Sequence, residues 1–187
     1  MTRGRCRTFA GDRRGVAAVE FALIAPFLLA CYLGVSILAS ALLVQRKAEH
    51  VASSLADLTA QQATTAPSEL ADICAVSDTI MQPYSTASTA LTMRVSSIQE
   101  DASGHLTVGW SYNCQGTTAL TKGSTYTGAA SSYLTTSQSV IVAEVTYTYT
   151  SPLGTTNYSW LPGSYAFPNT FYLQPRESQN VTCATCT

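Results

Sequence analysis

A chain of 187 residues with ten basic and eleven acidic side chains, net charge −1, is long enough for one compact domain and has no general cationic excess. That argues against nucleic acid as a partner. The charges are unevenly placed: Arg3, Arg5, Arg7, Arg13 and Arg14 stand against Asp12 alone in the first fourteen residues, whereas residues 51–187 hold three basic groups (Arg94, Lys122, Arg176) against eight acidic ones, a net of −5. The near-neutral total averages a basic leader with a mildly acidic remainder rich in Ser, Thr and Tyr.

After the leader, no residue from Phe21 to Val44 carries a formal charge. At a rise of about 1.5 Å per residue that run is long enough to cross a hydrocarbon core of about 30 Å with some tilt. Pro26 and Gly34 lie inside it, and membrane helices tolerate the backbone donor lost at proline when neighbouring helices cover the gap. The arginines on the N-terminal flank place residues 1–15 in the cytoplasm, residues 16–44 in the membrane and everything after about residue 45 on the exported side. Glu20, near the start of the run, costs on the order of kcal/mol unless something compensates its charge. The best compensation is a positive charge created by processing the chain just before it.

The helical pattern continues past the span. Val44, Ala48, Val51, Leu55 and Leu58 recur at alternating spacings of four and three, a narrow heptad-like seam with Arg46, Lys47, Glu49 and Asp57 off it. One helix from about Val16 to Gln61 is expected, with 45–62 as its extracytoplasmic continuation; the seam packs on the chain's own domain or on other subunits. After a connector at 63–67, a second helix is predicted from Ser68, with Leu70, Ile73, Cys74, Ile80 and Met81 as its apolar face and Pro83 as its stop. The pattern then turns to strands. Leu91, Met93 and Val95 alternate with polar residues, Asp101-Ala-Ser-Gly104 forms a turn, and Leu106, Val108, Trp110 and Tyr112 alternate again, predicting a hairpin. Residues 115–138 read as a long loop with a helical piece around Ala129 to Leu134. A third strand runs from Val140 through Tyr149 to a stop at Pro152, and a fourth from about Thr170 to Gln174. The sum is an α+β domain over 63–187: a long N-terminal transmembrane helix, then a short helix packed on an antiparallel sheet of about four strands.

Cys6 falls in the cytoplasm and Cys31 in the span, which leaves Cys74, Cys114, Cys183 and Cys186 on an oxidising side. Four cysteines allow three pairings; Cys74 with Cys114 and Cys183 with Cys186 are favoured, the second because it closes a small C-terminal loop. A redox role for Cys183-Ala-Thr-Cys186 is disfavoured, since the pair does not open a helix in a βαβ unit.

No catalytic, metal or cofactor site is expected. His50 and His105 stand alone without carboxylate or cysteine neighbours at ligand spacing, and the chain has no Gly-x-Ser-x-Gly elbow, phosphate loop or HExxH. The Trp110/Tyr112 and Tyr147/Tyr149 pairs are expected to be packing rather than a carbohydrate surface. Leu28-Leu29-Ala30-Cys31 has the form of a lipobox, but the apolar run continues to Val44 where a lipoprotein turns polar. An adhesin or binding module on an uncut anchor is the alternative from another functional class.

The stretch Gly15-Val-Ala-Ala-Val-Glu20-Phe-Ala-Leu-Ile-Ala-Pro26, with Gln45-Arg-Lys47, Ala56-Asp57-Leu58, Gln61, Pro83, Val95-Ser-Ser-Ile98, Val145-Thr-Tyr-Thr-Tyr149 and Pro175-Arg176 in that order, resembles the TadE-like proteins. These are minor pilin-like components of the tight adherence (Flp) pilus machinery. The resemblance implies a non-enzymatic, single-pass protein of the inner membrane with a periplasmic domain, whose partners are other pilin-like subunits, the pilus assembly machinery and a prepilin peptidase. It implies cleavage after Gly15, making Val16 the first residue and Glu20 the fifth, with Phe21 where the major Flp pilins carry tyrosine. The new ammonium and the Glu20 carboxylate would then offset one another, within one chain or across two. Helix assembly is expected to use Glu20, Pro26, Val44, Ala48, Val51, Leu55 and Leu58.

Overall fold

The computed structural model describes residues 15–130, 134, 138–151 and 163–186. The leader arginines with Asp12 and Cys6, half of the helical piece expected at Ala129–Leu134, and Pro152 as a strand stop lie outside those residues. The chain divides into two compact units, 1–40 and 41–187.

In the first unit the described residues belong almost wholly to helix α1, Val16–Ala60, which passes through Pro26 without a break. Its large apolar side chains are exposed in every direction: Phe21, Leu23 and Tyr32 are each more than 70% accessible. A helix that is apolar all round belongs in an apolar environment rather than on a wetted surface. Among the described residues, α1 is the one helix long and apolar enough to cross a membrane.

The second unit takes the rest of α1 and is α+β. In chain order it adds β1 (Thr64–Thr65), α2 (Pro67–Met81), β2 (Leu91–Glu100), β3 (Leu106–Gln115), β4 (Ser139–Thr150), β5 (Ser164–Leu173) and β6 (Thr182–Cys183). β2 to β5 form an antiparallel sheet in the order β3-β2-β4-β5. α2 begins one residue before the expected Ser68: Pro67 opens it with a pre-set φ, and Glu69 accepts the Ala66 N–H at 3.0 Å.

Register sorts the side chains onto two faces. Leu91 opposite Tyr147, Met93 opposite Val145, Val95 opposite Ala143 and Ser97 opposite Ile141 share one face, with Trp110 beside Ser97 on β3. All are buried, and the buried stripes of α1 (Val44, Ala48, Val51, Leu55) and α2 (Leu70, Ile73, Met81) supply their cover. The seam of α1 is thus used up by the chain's own domain: those four α1 residues are wholly inaccessible, and only Leu58, at the border, is half-buried. Trp110 and Tyr147 are core residues, as their strand spacing suggested.

The other face carries a second core of Ile98, Val108, Val140 and Val142, against which Leu120, Tyr126, Ala130 and Leu134 pack. The segment read as a polar loop is therefore a lid over the sheet, stitched to β3 by Val108 N–H to the Ser124 carbonyl (3.0 Å) and Tyr126 N–H to the Leu106 carbonyl (2.9 Å). Arg94 on β2 pairs with Glu144 on β4 (2.6 Å) and donates to the Thr118 carbonyl (3.0 Å), clamping the start of that segment.

β5 corrects the expected fourth strand, which begins at Ser164 and not at Thr170. Pro168 masked it, because proline normally demotes a strand. The Ser151 N–H bond to the Gly163 carbonyl sets the phase of the β4–β5 ladder. Counting from it, the pair Pro168–Thr146 is a non-hydrogen-bonded one, so the proline nitrogen points away from the sheet on an edge strand. The ladder loses nothing there.

The C-terminal residues form a strap that has no signature in the local sequence pattern. β6 pairs in parallel with β1, Arg176 N–H bonds the Ala60 carbonyl that ends α1, the Arg176 guanidinium pairs with Asp57, and Trp110 Nε1–H bonds the Val181 carbonyl at 2.7 Å. Two disulfides complete the unit, Cys74–Cys114 between α2 and β3 and Cys183–Cys186 within the strap.

Candidate functional site

The candidate site is the start of α1. Gly15 directly precedes the first helical residue, and nothing lies within 4 Å of where a side chain on it would sit. Val16, Glu20 and Phe21 follow in the first turns, all exposed. Val16 and Glu20 are four residues apart, the spacing that puts two side chains on one helix face. Pro26 is exposed two turns further on. The arrangement offers an open peptide bond, a carboxylate one turn beyond it and apolar surface around both, which suits recognition and packing rather than acid–base chemistry.

The residues grouped by sequence as helix-assembly candidates fall into two sets. Glu20 and Pro26 are exposed, whereas Val44, Ala48, Val51 and Leu55 are spent on the domain's own core. Lys47, off the seam, has a role the sequence did not reveal. Its ammonium donates to the Ile80 carbonyl at 3.3 Å and to the Gln82 carbonyl, and lies 5.5 Å from the centre of the Tyr84 ring. It neutralises the end of α2, where helical carbonyls lack partners. No local spacing signals this, since the contact spans 33 residues.

Several titratable groups of the second unit sit in turns or packing contacts. His105 does have a carboxylate beside it, contrary to the sequence reading: Asp101 Oδ2 lies 3.7 Å from Nδ1. That carboxylate is held below its ordinary range by the His105 and Ser103 backbone N–H groups, which it accepts in the turn closed by Gly104 at φ 81°. Burial raises the Tyr147 hydroxyl, and burial with a bond to Tyr172 raises Tyr126 far more. Among the described residues no group of three His, Cys, Asp or Glu side chains could hold a metal ion.

Asp78 is raised by burial, and the Gln115 amide lies 3.4 Å from its carboxylate. A raised folded value means that its contribution is present when it is protonated, below the ordinary carboxylate range, and is lost as pH rises through the folded value. Asp78→Asn, neutral at every pH and still an acceptor for Gln115, is therefore expected to raise the thermal midpoint slightly at pH 7. The gain should vanish below the carboxylate range in a pH series of melting curves.

Compared with known proteins, residues 15–57 match the family described as TadE-like protein. No curated protein and no solved structure matches the chain. The matched segment opens on Gly15, takes in Glu20 and ends at Asp57 in the buried half of α1.

Proposed function

We propose that the chain is a non-enzymatic, pilin-like component, a minor pilin or pseudopilin, for assembly of a Tad/Flp-type pilus. α1 anchors it in the inner membrane by a single pass over 16–44, with residues 1–15 cytoplasmic, 45–62 continuing the helix outside and 63–187 forming the periplasmic domain. A prepilin peptidase cuts after Gly15, and the Val16 ammonium then offsets the Glu20 carboxylate, in the same helix or a neighbouring one. The peptidase supplies the chemistry; this chain supplies the substrate. The observation that carries the reading is the TadE-like match, which begins at Gly15 and includes Glu20. With the α1 seam buried in the domain, lateral association with other pilin-like helices falls to the exposed apolar part of α1.

N-terminal sequencing of the protein recovered from membranes tests processing: Val16 is expected first, and an intact Met1 or a start at Cys31 overturns it. Glu20→Leu tests assembly. Piliation is expected to be lost while the protein stays folded and exported; normal pili with lost adhesion would point to an adhesin instead.

A further inference from the structure

Within the second unit, one end of the sheet lies at the level of Lys47 on α1, whose ammonium donates to the Ile80 and Gln82 carbonyls. β2 starts there at Leu91 and runs to Glu100, about 30 Å away at strand rise. α1 runs in the same sense from Val44 to Ala60, where Arg176, just past the far end of β5, bonds its last carbonyl. The near end is tied together by Lys47 on the Ile80 and Gln82 carbonyls, by Gln115 Nε2–H on the Thr86 and Leu91 carbonyls (3.1 Å each) and by Thr148 N–H on the Ala90 carbonyl (2.7 Å). These bonds fix the 82–90 loop at the level of the first α1 turns of the unit, beside exposed Leu42 and Leu43.

The two ends differ in charge. Residues 79–93 and the near-end strand termini Thr150 and Ser164 carry no formal charge, Asp78 on α2 faces the Gln115 amide at 3.4 Å, and Arg46, exposed, is the cation there without a described ion pair. Lys47 is committed to the loop, and Glu49 lies one turn further along α1 with its carboxylate against Gln45. The far end carries Glu100, Asp101 and Glu177 with the Arg176–Asp57 ion pair, a net negative charge. Gln82, Pro83, Ser85, Ala87, Ser88 and Thr89 are exposed and Tyr84 is half-buried, a small, uncharged, aromatic-bearing surface in the unit that also exposes Arg46, Leu42 and Leu43. That composition suits the polar–apolar boundary of a bilayer, where tyrosine is enriched and a long cationic side chain near a helix end reaches the headgroups.

We infer that this end of the unit, the 82–90 loop with Tyr84 and Arg46, is a membrane-surface contact that takes anionic phospholipid headgroups, so that the domain is seated on the bilayer it is anchored in. Arg46 meets the phosphates, and Lys47 holds the loop in place. The inference rests on the reading of α1 as a membrane span.

The test uses the full chain with Cys6→Ser and Cys31→Ser, a fluorophore on Ser88→Cys or Ser103→Cys, and reconstitution into phosphatidylcholine–phosphatidylglycerol vesicles containing a headgroup spin-labelled lipid. Quenching is expected to be several-fold greater at position 88 than at 103 on the distant hairpin, and to fall when Arg46→Gln is added or the anionic lipid is omitted. Equal quenching at both positions, with the protein still resistant to alkaline extraction, overturns the headgroup contact and leaves the span standing. Quenching insensitive to Arg46→Gln overturns the role of the phosphates. Protection of position 88 only after adding another pilin-like chain overturns the lipid in favour of a protein partner. Release of the protein by alkali overturns the span itself, and the contact with it.

Discussion

Replacing both Cys74 and Cys114 by serine is expected to lower the stability of the folded unit by about 4 kcal/mol, whereas the same exchange at Cys183 and Cys186 costs about 2 kcal/mol. The difference lies in the unfolded chain: the first bond spans 40 residues and the second three, and the loop-closure entropy withheld from the unfolded ensemble grows with the logarithm of that length. The first bond also joins two elements, α2 and an edge strand of the sheet, and Cys74 is nearly inaccessible, so a serine there adds a buried hydroxyl that must find a partner. A loss of that size is a large share of the roughly 5–15 kcal/mol that holds a typical domain together. Urea unfolding of the full chain in detergent, followed by far-UV circular dichroism, checks it. Equal midpoints for the two double variants, or a larger loss at the C-terminal pair, would contradict this account.

Leu55→Ala is expected to cost about 2–5 kcal/mol in the same assay, with Leu58→Ala well below it. Leu55 is wholly inaccessible and lies in the seam that covers one face of the sheet; Leu58, one turn on, is only half-buried. If the seam served other subunits instead, the order would invert in function and vanish in stability: Leu55→Ala would leave unfolding unchanged and impair assembly alone. Together the two variants decide what the α1 seam is for without reference to pili.

Much of this fold could be read from the residues because its elements have clean periods. The uncharged run from Phe21 to Val44 is apolar on every side, and the four-and-three spacing from Val44 to Leu58 and the alternation in β2, β3 and β4 each mark the faces of one element, so a local pattern sufficed. What could not be read depends on partners far apart in the chain. Leu120, Tyr126 and Ala130 are isolated apolar residues in a Ser/Thr/Gly-rich stretch, and only the sheet face exposed by β2 and β4 gives them something to cover. Lys47 and Arg176 likewise find their partners across 35 and 119 residues. β5 begins six residues before the expected Thr170, because Pro168 is compatible with a strand only at a sheet edge and the edge position is set by the other strands. At the candidate site the residue types were legible, since a glycine before an apolar run and a carboxylate within it stand out in sequence alone. Which seam residues were free was not, because that depends on the sheet folding against them.

Pro168 has a consequence for how copies of this domain tolerate crowding. β5 carries no charged side chain, the usual guard of an exposed sheet edge. The proline removes the central donor from its outward row, so a strand laid alongside would find hydrogen bonds at either end and a gap in the middle. Sheet-to-sheet growth between neighbouring copies is thereby discouraged, and proteins concentrated in one membrane can meet repeatedly through their helices without fusing through their strands.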